Sequence, residues 1–145
     1  MNARRSALAT ATGLLVLSTA GWAPAAPAAP APKALVTCEG ASCDGADPNQ
    51  TGCASGRATT LESKSYLGKG IRLRYNPDCR AAWAQLTEGK SGDDALVQDD
   101  QGLTYHRPIS SGTDTYSPMV SNKDPRKARA CVTVPGSGQS CTGYH

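Results

Sequence analysis

The chain has no phenylalanine, and aromatic residues of every kind make up 5% of its 145 residues. A domain built from it has a thin apolar interior, so side-chain burial alone supplies little stabilisation. There is no C-x-x-C, and the two histidines, His106 and His145, are far apart. That argues against a structural zinc site, which draws on closely spaced Cys and His pairs. The absence of G-x-S-x-G removes the strained nucleophile elbow of the α/β-hydrolases. No internal repeat is visible, and beyond the N-terminal segment no apolar run approaches the roughly 20 residues of a membrane span.

Charge is scarce as well. The chain carries 15 basic and 12 acidic residues, a formal net charge of +3. Two of the basic residues, Arg4 and Arg5, open a segment laid out as a secretory signal. Met1–Arg5 is basic, and 7–23 is small and apolar around Leu14-Leu15-Val16-Leu17. Ala23-Pro24-Ala25 and Ala26-Pro27-Ala28 then supply small residues in A-x-A spacing. A transmembrane anchor is the competing reading, but Thr10, Thr12, Ser18 and Thr19 interrupt the run. Arg4-Arg5 also fits a twin-arginine export signal. The expected organisation is a signal peptide over 1–28, an Ala/Pro-rich arm over 29–34, and one disulfide-rich β domain over 35–145. Removal of the signal after Ala25 or Ala28 takes 15 basic residues to 13 against 12 acidic, so the charge falls from +3 to +1. Nothing in that balance points to nucleic acid, and the mature chain is expected to leave the membrane and to be monomeric.

What the sequence does contain is an even set of six cysteines: Cys38, Cys43, Cys53, Cys79, Cys131 and Cys141. In an exported chain these read as three disulfides that replace missing apolar mass. Cys131 and Cys141 lie equidistant from Gly136 in Val134-Pro135-Gly136-Ser137-Gly138. A hairpin turning there sets Cys131 opposite Cys141, within bridging distance. With that pair set aside, the scheme assigns Cys53–Cys79, tying an N-terminal loop to the middle of the domain, and Cys38–Cys43, closing a small loop. The spacing alone does not decide between these and the other pairings.

Strands dominate the expected secondary structure. Ile71, Leu73 and Tyr75 alternate with Arg72 and Arg74, the period of a strand with one dry and one wet face. Residues 58–67 form its hairpin partner across Leu67-Gly68-Lys69-Gly70. Further strands are expected at 95–98, 103–107, 114–120, 128–134 and 139–142, with Pro118 placing 114–120 at an edge or bulge. Over 79–88 the signals conflict. Asn76-Pro77 suits a helix start, and Cys79, Ala82, Trp83 and Leu86 fall at i, i+3, i+4 and i+7. A short helix is the expectation, and a strand over 80–86 competes with it. The fold class is mainly β: a small disulfide-stapled β-barrel or sandwich of five to seven short strands with at most one short helix.

Cys38-Glu39-Gly40-Ala41-Ser42-Cys43-Asp44-Gly45, Asp47-Pro48-Asn49-Gln50-Thr51-Gly52-Cys53, Leu73-Arg74-Tyr75, Cys79-Arg80-Ala81-Ala82-Trp83, Tyr116-Ser117-Pro118-Met119-Val120 and Ala128-Arg129-Ala130-Cys131 follow one another in fixed order. Their order and the cysteine spacing resemble the YjfA-like family, a domain of unknown function in secreted actinobacterial proteins. The resemblance implies a secreted, disulfide-bonded module with no assigned activity and offers no catalytic residues. After Cys53 this chain carries Ala54-Ser55-Gly56-Arg57, where relatives often carry an acidic residue.

Three sets of residues invite a chemical reading. Asp47, Asn49 and Thr51 ahead of Gly52 copy the front half of a calcium loop. Position 12 of that pattern is Ala58 rather than a bidentate Glu, and an Asx turn explains the same residues. Calcium is therefore the one cofactor to test. Arg72 and Arg74, with Arg57 or Arg80 nearby, can hold a carboxylate or phosphate, or they form a solvated strand face. Trp83 with Tyr66, Tyr75, Tyr105, Tyr116 or Tyr144 can stack on sugar rings, or Trp83 is the main core aromatic. Catalysis is the weakest fit. His106, beside Arg107-Pro108, would need an acid and a nucleophile that the sequence does not place. The expected function is a secreted non-catalytic binding module for an extracellular polymer or an exported protein. An inhibitor of extracellular proteases, presenting the bridged 131–141 hairpin, is the alternative, and a small secreted hydrolase using His106 is a third.

Overall fold

The computed structural model describes residues 24–29 and 35–145. The expected signal peptide lies outside the described residues except at 24–28, and the expected arm except at Ala29; residues 24–29 are exposed and without regular structure. From residue 35 onward the chain forms a compact unit of its own.

The alternating run Lys69–Asn76 is β2, and it pairs antiparallel with β1 (Thr59–Tyr66). Ile71 and Leu73 are buried and Arg72 is exposed, as the period of two requires. β3 (Ala81–Thr87) pairs on the other side of β2. This segment corrects the helix expected over 79–88. β3 is covered on both faces, so nearly every residue in it is apolar. A doubly covered strand and a helix share that pattern, and apolar spacing does not separate them. Asn76 is not a helix cap: its Oδ1 accepts the Asp78 N–H at 2.8 Å and tightens the turn between β2 and β3.

β4 (Asp94–Asp99) and β5 (Thr104–Pro108) form the next hairpin. β6 (Thr115–Tyr116) and β7 (Val120–Ser121) are two-residue pieces, both paired with β3. They are the expected 114–120 strand interrupted at Ser117-Pro118. Proline has no N–H to give the ladder, and the Ser117 hydroxyl accepts the Ala84 N–H at 3.0 Å across the gap. β8 (Ala128–Val134) and β9 (Gly138–Cys141) close the chain. Their register sets Cys131 opposite Cys141 and Val134 opposite Gly138. Apart from the two short pieces the strands run from four to eight residues, and the one helical element among the described residues is a single 3-10 turn at Gly40–Cys43. No helix among them is long and apolar enough to cross a membrane.

The strands make two antiparallel sheets, β1-β2-β3-β6 with β7 beside β3, and β5-β4-β8-β9. They face each other as a sandwich rather than closing into a barrel. Ile71, Leu73, Ala82, Ala84 and Leu86 from one sheet meet Ala95, Val97, Ala130, Val132 and Val134 from the other. A third layer lies on the outer face of the first sheet. Ala81, Trp83 and Met119 pack there with Cys43, Cys53 and Cys79, beneath the N-terminal loop. That loop has too few apolar residues to fold alone. Cys53–Cys79 fastens it to the β2–β3 turn, and Cys38–Cys43 closes its first bend. Backbone bonds repeat the attachment: Gly40 N–H to Cys79 O at 2.7 Å, and Gly45 N–H to Met119 O at 2.9 Å. The third bridge, Cys131–Cys141, spans the last hairpin with its Cα atoms 4.0 Å apart.

Candidate functional site

Antiparallel register places residues from several strands side by side on the outer face of the first sheet. One row runs Thr60, Arg74, Trp83; the next runs Ser63, Arg72, Gln85, Tyr116. The N-terminal loop roofs one end of these rows. Between roof and sheet is an open pocket of about 300 Å³, lined by Arg74, Trp83, Gln85 and Tyr116 below and by Pro48, Asn49 and Ala54 above.

Arg74 is the charged group of the pocket. Its Nη1 donates to Thr60 Oγ1 at 2.7 Å, which fixes one end of the guanidinium, and among the described residues its remaining N–H donors have no partner. Other arginines are matched with acids: Arg57 with Asp78 at 2.9 Å, Arg107 with Asp47 at 3.0 Å, Arg126 with Asp44 at 3.4 Å, and Arg80 with Glu39 at 4.0 Å. Arg129 donates to Gln98 and covers the Tyr144 ring. Among the described residues Arg72 and Arg74 lie within salt-bridge range of no carboxylate. Burial, and then the charge of Arg72, lower the pKa of Arg74.

Asp47 holds the roof in place. Its Oδ1 accepts the N–H groups of Asn49 and Gln50 at 2.8 and 3.2 Å, and its Oδ2 accepts Arg107 at 3.0 Å. Burial raises its carboxyl pKa, but the bonds from Asn49, Arg107 and Gln50, with the Arg107 charge, outweigh that and hold it below the usual carboxylate value. The Arg107 guanidinium also lies 4.8 Å from the centre of the Tyr116 ring. One chain of contacts thus links loop, second sheet and first sheet around the pocket wall. Thr51 turns its hydroxyl inward to Asp47 O at 2.9 Å. Gly52 follows with φ +77°, where an added Cβ would lie 2.7 Å from the Leu35 carbonyl oxygen, so glycine is required there.

The structure therefore gathers Arg74, Trp83 and Asn49, which the sequence offered as parts of three unrelated motifs. Arg72 is in the adjoining row and exposed. Arg57 and Arg80 do not join it, being held by Asp78 and Glu39. Asp47 and Thr51 shape the roof from within. Trp83 lines the pocket but is 4% exposed, so little of its ring is open to a ligand. Gln85, a lining residue with an amide to offer, was not among the sequence candidates. Its signal was a lone amide inside the apolar run Ala81–Leu86.

Two other constellations stand apart from the pocket. His106 Nδ1 is 2.8 Å from Asp94 Oδ2, in an exposed position on the β4–β5 hairpin. The tip of the β8–β9 hairpin is held by Tyr66, whose hydroxyl donates to Ser137 O at 2.7 Å.

A scan against family models matches residues 41–131 to DUF2690, described as a protein of unknown function. No curated protein and no solved structure matches the chain.

Proposed function

The chain belongs to the DUF2690 family of proteins of unknown function, and from that premise we propose a secreted, non-catalytic binding module whose site is the pocket under the N-terminal loop. Three disulfides in a small domain suit an oxidising, extracellular space. The signal-like N-terminus and the resemblance to YjfA-like secreted actinobacterial domains agree with export. One observation carries the site: a half-buried guanidinium, Arg74, facing a pocket with no acid to neutralise it. An unmatched cation beside aromatic and amide groups is suited to an anionic ligand, either an extracellular polymer or an exported protein.

Capture of partners from cell-wall material and culture supernatant of the host, by oxidised wild-type protein and by Arg74→Gln in parallel, tests the reading. Retention by the wild type and loss with the variant are expected. A wild type that retains nothing, or a variant that retains the same material equally, would overturn it. The protease-inhibitor alternative keeps one supporting observation, the bridged hairpin with its tip anchored by Tyr66, since a loop ordered in advance binds at lower entropic cost.

A further inference from the structure

The pocket is one end of a larger polar face. Beyond it the two rows continue through Thr60 and Ser63 to β1, where both side chains are exposed. The polar side chains of these rows and of the pocket are hydroxyls, amides and guanidiniums. Hydroxyls and amides both donate and accept, which suits the paired donor and acceptor of each sugar hydroxyl. The pocket volume of about 300 Å³ sits at the small end of the usual range of roughly 300–1,000 Å³. That is room enough for one sugar ring.

The charges narrow the chemistry. One guanidinium points to a singly charged group, and a carboxylate, with one charge shared over two coplanar oxygens, meets that single fork with two bonds. Arg72, also without a carboxylate in range among the described residues, is two residues along the same strand, about 7 Å away by strand rise. A chain of linked rings, each bearing a carboxylate, can meet both.

Building on the binding-module reading, we propose that the outer face of β1, β2 and β3 binds an acidic glycan. One sugar ring lies in the pocket against Tyr116 with its carboxylate on Arg74, its hydroxyls on Gln85 and Asn49, and the next acidic ring on Arg72. The Asp47–Arg107–Tyr116 contacts keep the ring wall and the roof at fixed separation.

Isothermal titration of the oxidised protein with tetragalacturonate tests this, with a neutral tetrasaccharide of the same linkage and a glycerol-phosphate polymer as comparison ligands. Tetragalacturonate should bind and weaken with added salt, while the neutral sugar should bind at least about tenfold more weakly. Arg74→Gln should lower affinity by about 10- to 100-fold, the loss expected for a charge-assisted bond. Arg74→Lys, which keeps the charge without the fork, should recover little of it, and Arg72→Gln should cost a few-fold. Thermal melts of each variant establish that it is folded. Equal binding of the neutral sugar, tighter binding of the phosphate polymer, or an unchanged affinity in folded Arg74→Gln would overturn the proposal. If tetragalacturonate fails to bind while Arg74-dependent capture from wall or supernatant persists, the glycan assignment falls and the binding module stands. If neither occurs, both fall.

Discussion

Removing the Cys53–Cys79 bridge should damage this protein more than removing either of the others, and the order follows from the chain. The three bridges join residues separated by 26, 10 and 5 positions for Cys53–Cys79, Cys131–Cys141 and Cys38–Cys43. In the loop-entropy treatment, freeing loops of those lengths costs about 3.5, 2.7 and 2 kcal/mol. Local structure widens the gap. Cys131–Cys141 spans a hairpin already held by its ladder. Cys53 and Cys79 are wholly buried against Ala81, Trp83 and Met119, so replacing both by alanine also leaves a cavity. A small domain has about 5–15 kcal/mol in all, and the paired variant C53A/C79A should therefore lose much of its stability. The roof residues Pro48, Asn49 and Ala54 belong to the loop this bridge anchors, so pocket and stability should fail together. Urea unfolding of the three paired alanine variants reads the order directly. If C38A/C43A costs as much as C53A/C79A, or if the latter costs under about 1 kcal/mol, the view that covalent links hold the third layer is wrong.

Trp83→Ala should cost about 3–5 kcal/mol, because the indole is buried between sheet and loop; a loss below about 1 kcal/mol in urea would mean that it is not the core aromatic. Asp47 has a folded pKa below its unfolded value of about 3.9. Its contribution is therefore present above that value and lost as pH falls through the folded pKa. Asp47→Asn should be less stable at neutral pH and should lose less between about pH 4 and pH 2, and parallel acid-unfolding curves for the two proteins would contradict this. His106→Ala should change stability by under about 1 kcal/mol, since its pair with Asp94 is exposed, and should leave glycan binding intact; an esterase or glycosidase activity in the wild type that His106→Ala abolishes would instead support the hydrolase alternative.

Much of this architecture could be read from local pattern. The alternation at 71–75 gave β2 its faces, and the symmetry of Cys131 and Cys141 about Gly136 gave the last hairpin its register. Ala81–Leu86 could not be read in that way. Its pattern depends on a loop some thirty residues earlier covering its second face, and no window along the chain contains that fact. The site was legible in pieces for the same reason. Arg74 and Trp83 stood out as residue types, but their meeting with Asn49 and Tyr116 requires the pairing of β2 with β3 and of β3 with β6, plus a roof fastened by Cys53–Cys79. Arg57 and Arg80 looked equivalent to Arg72 and Arg74 until the fold matched the first two with acids.

A ligand seated on the roofed face of the first sheet would touch Arg74 and its neighbours first. The most direct measurement is a chemical-shift map of the oxidised, isotope-labelled protein titrated with solubilised wall glycan of its host. Binding in the pocket should concentrate the shifts on the side-chain amides of Asn49 and Gln85, the Arg74 Nε–H and the Trp83 indole N–H. Shifts centred on 135–138 of the last hairpin, or none beyond those of a salt control, would contradict it.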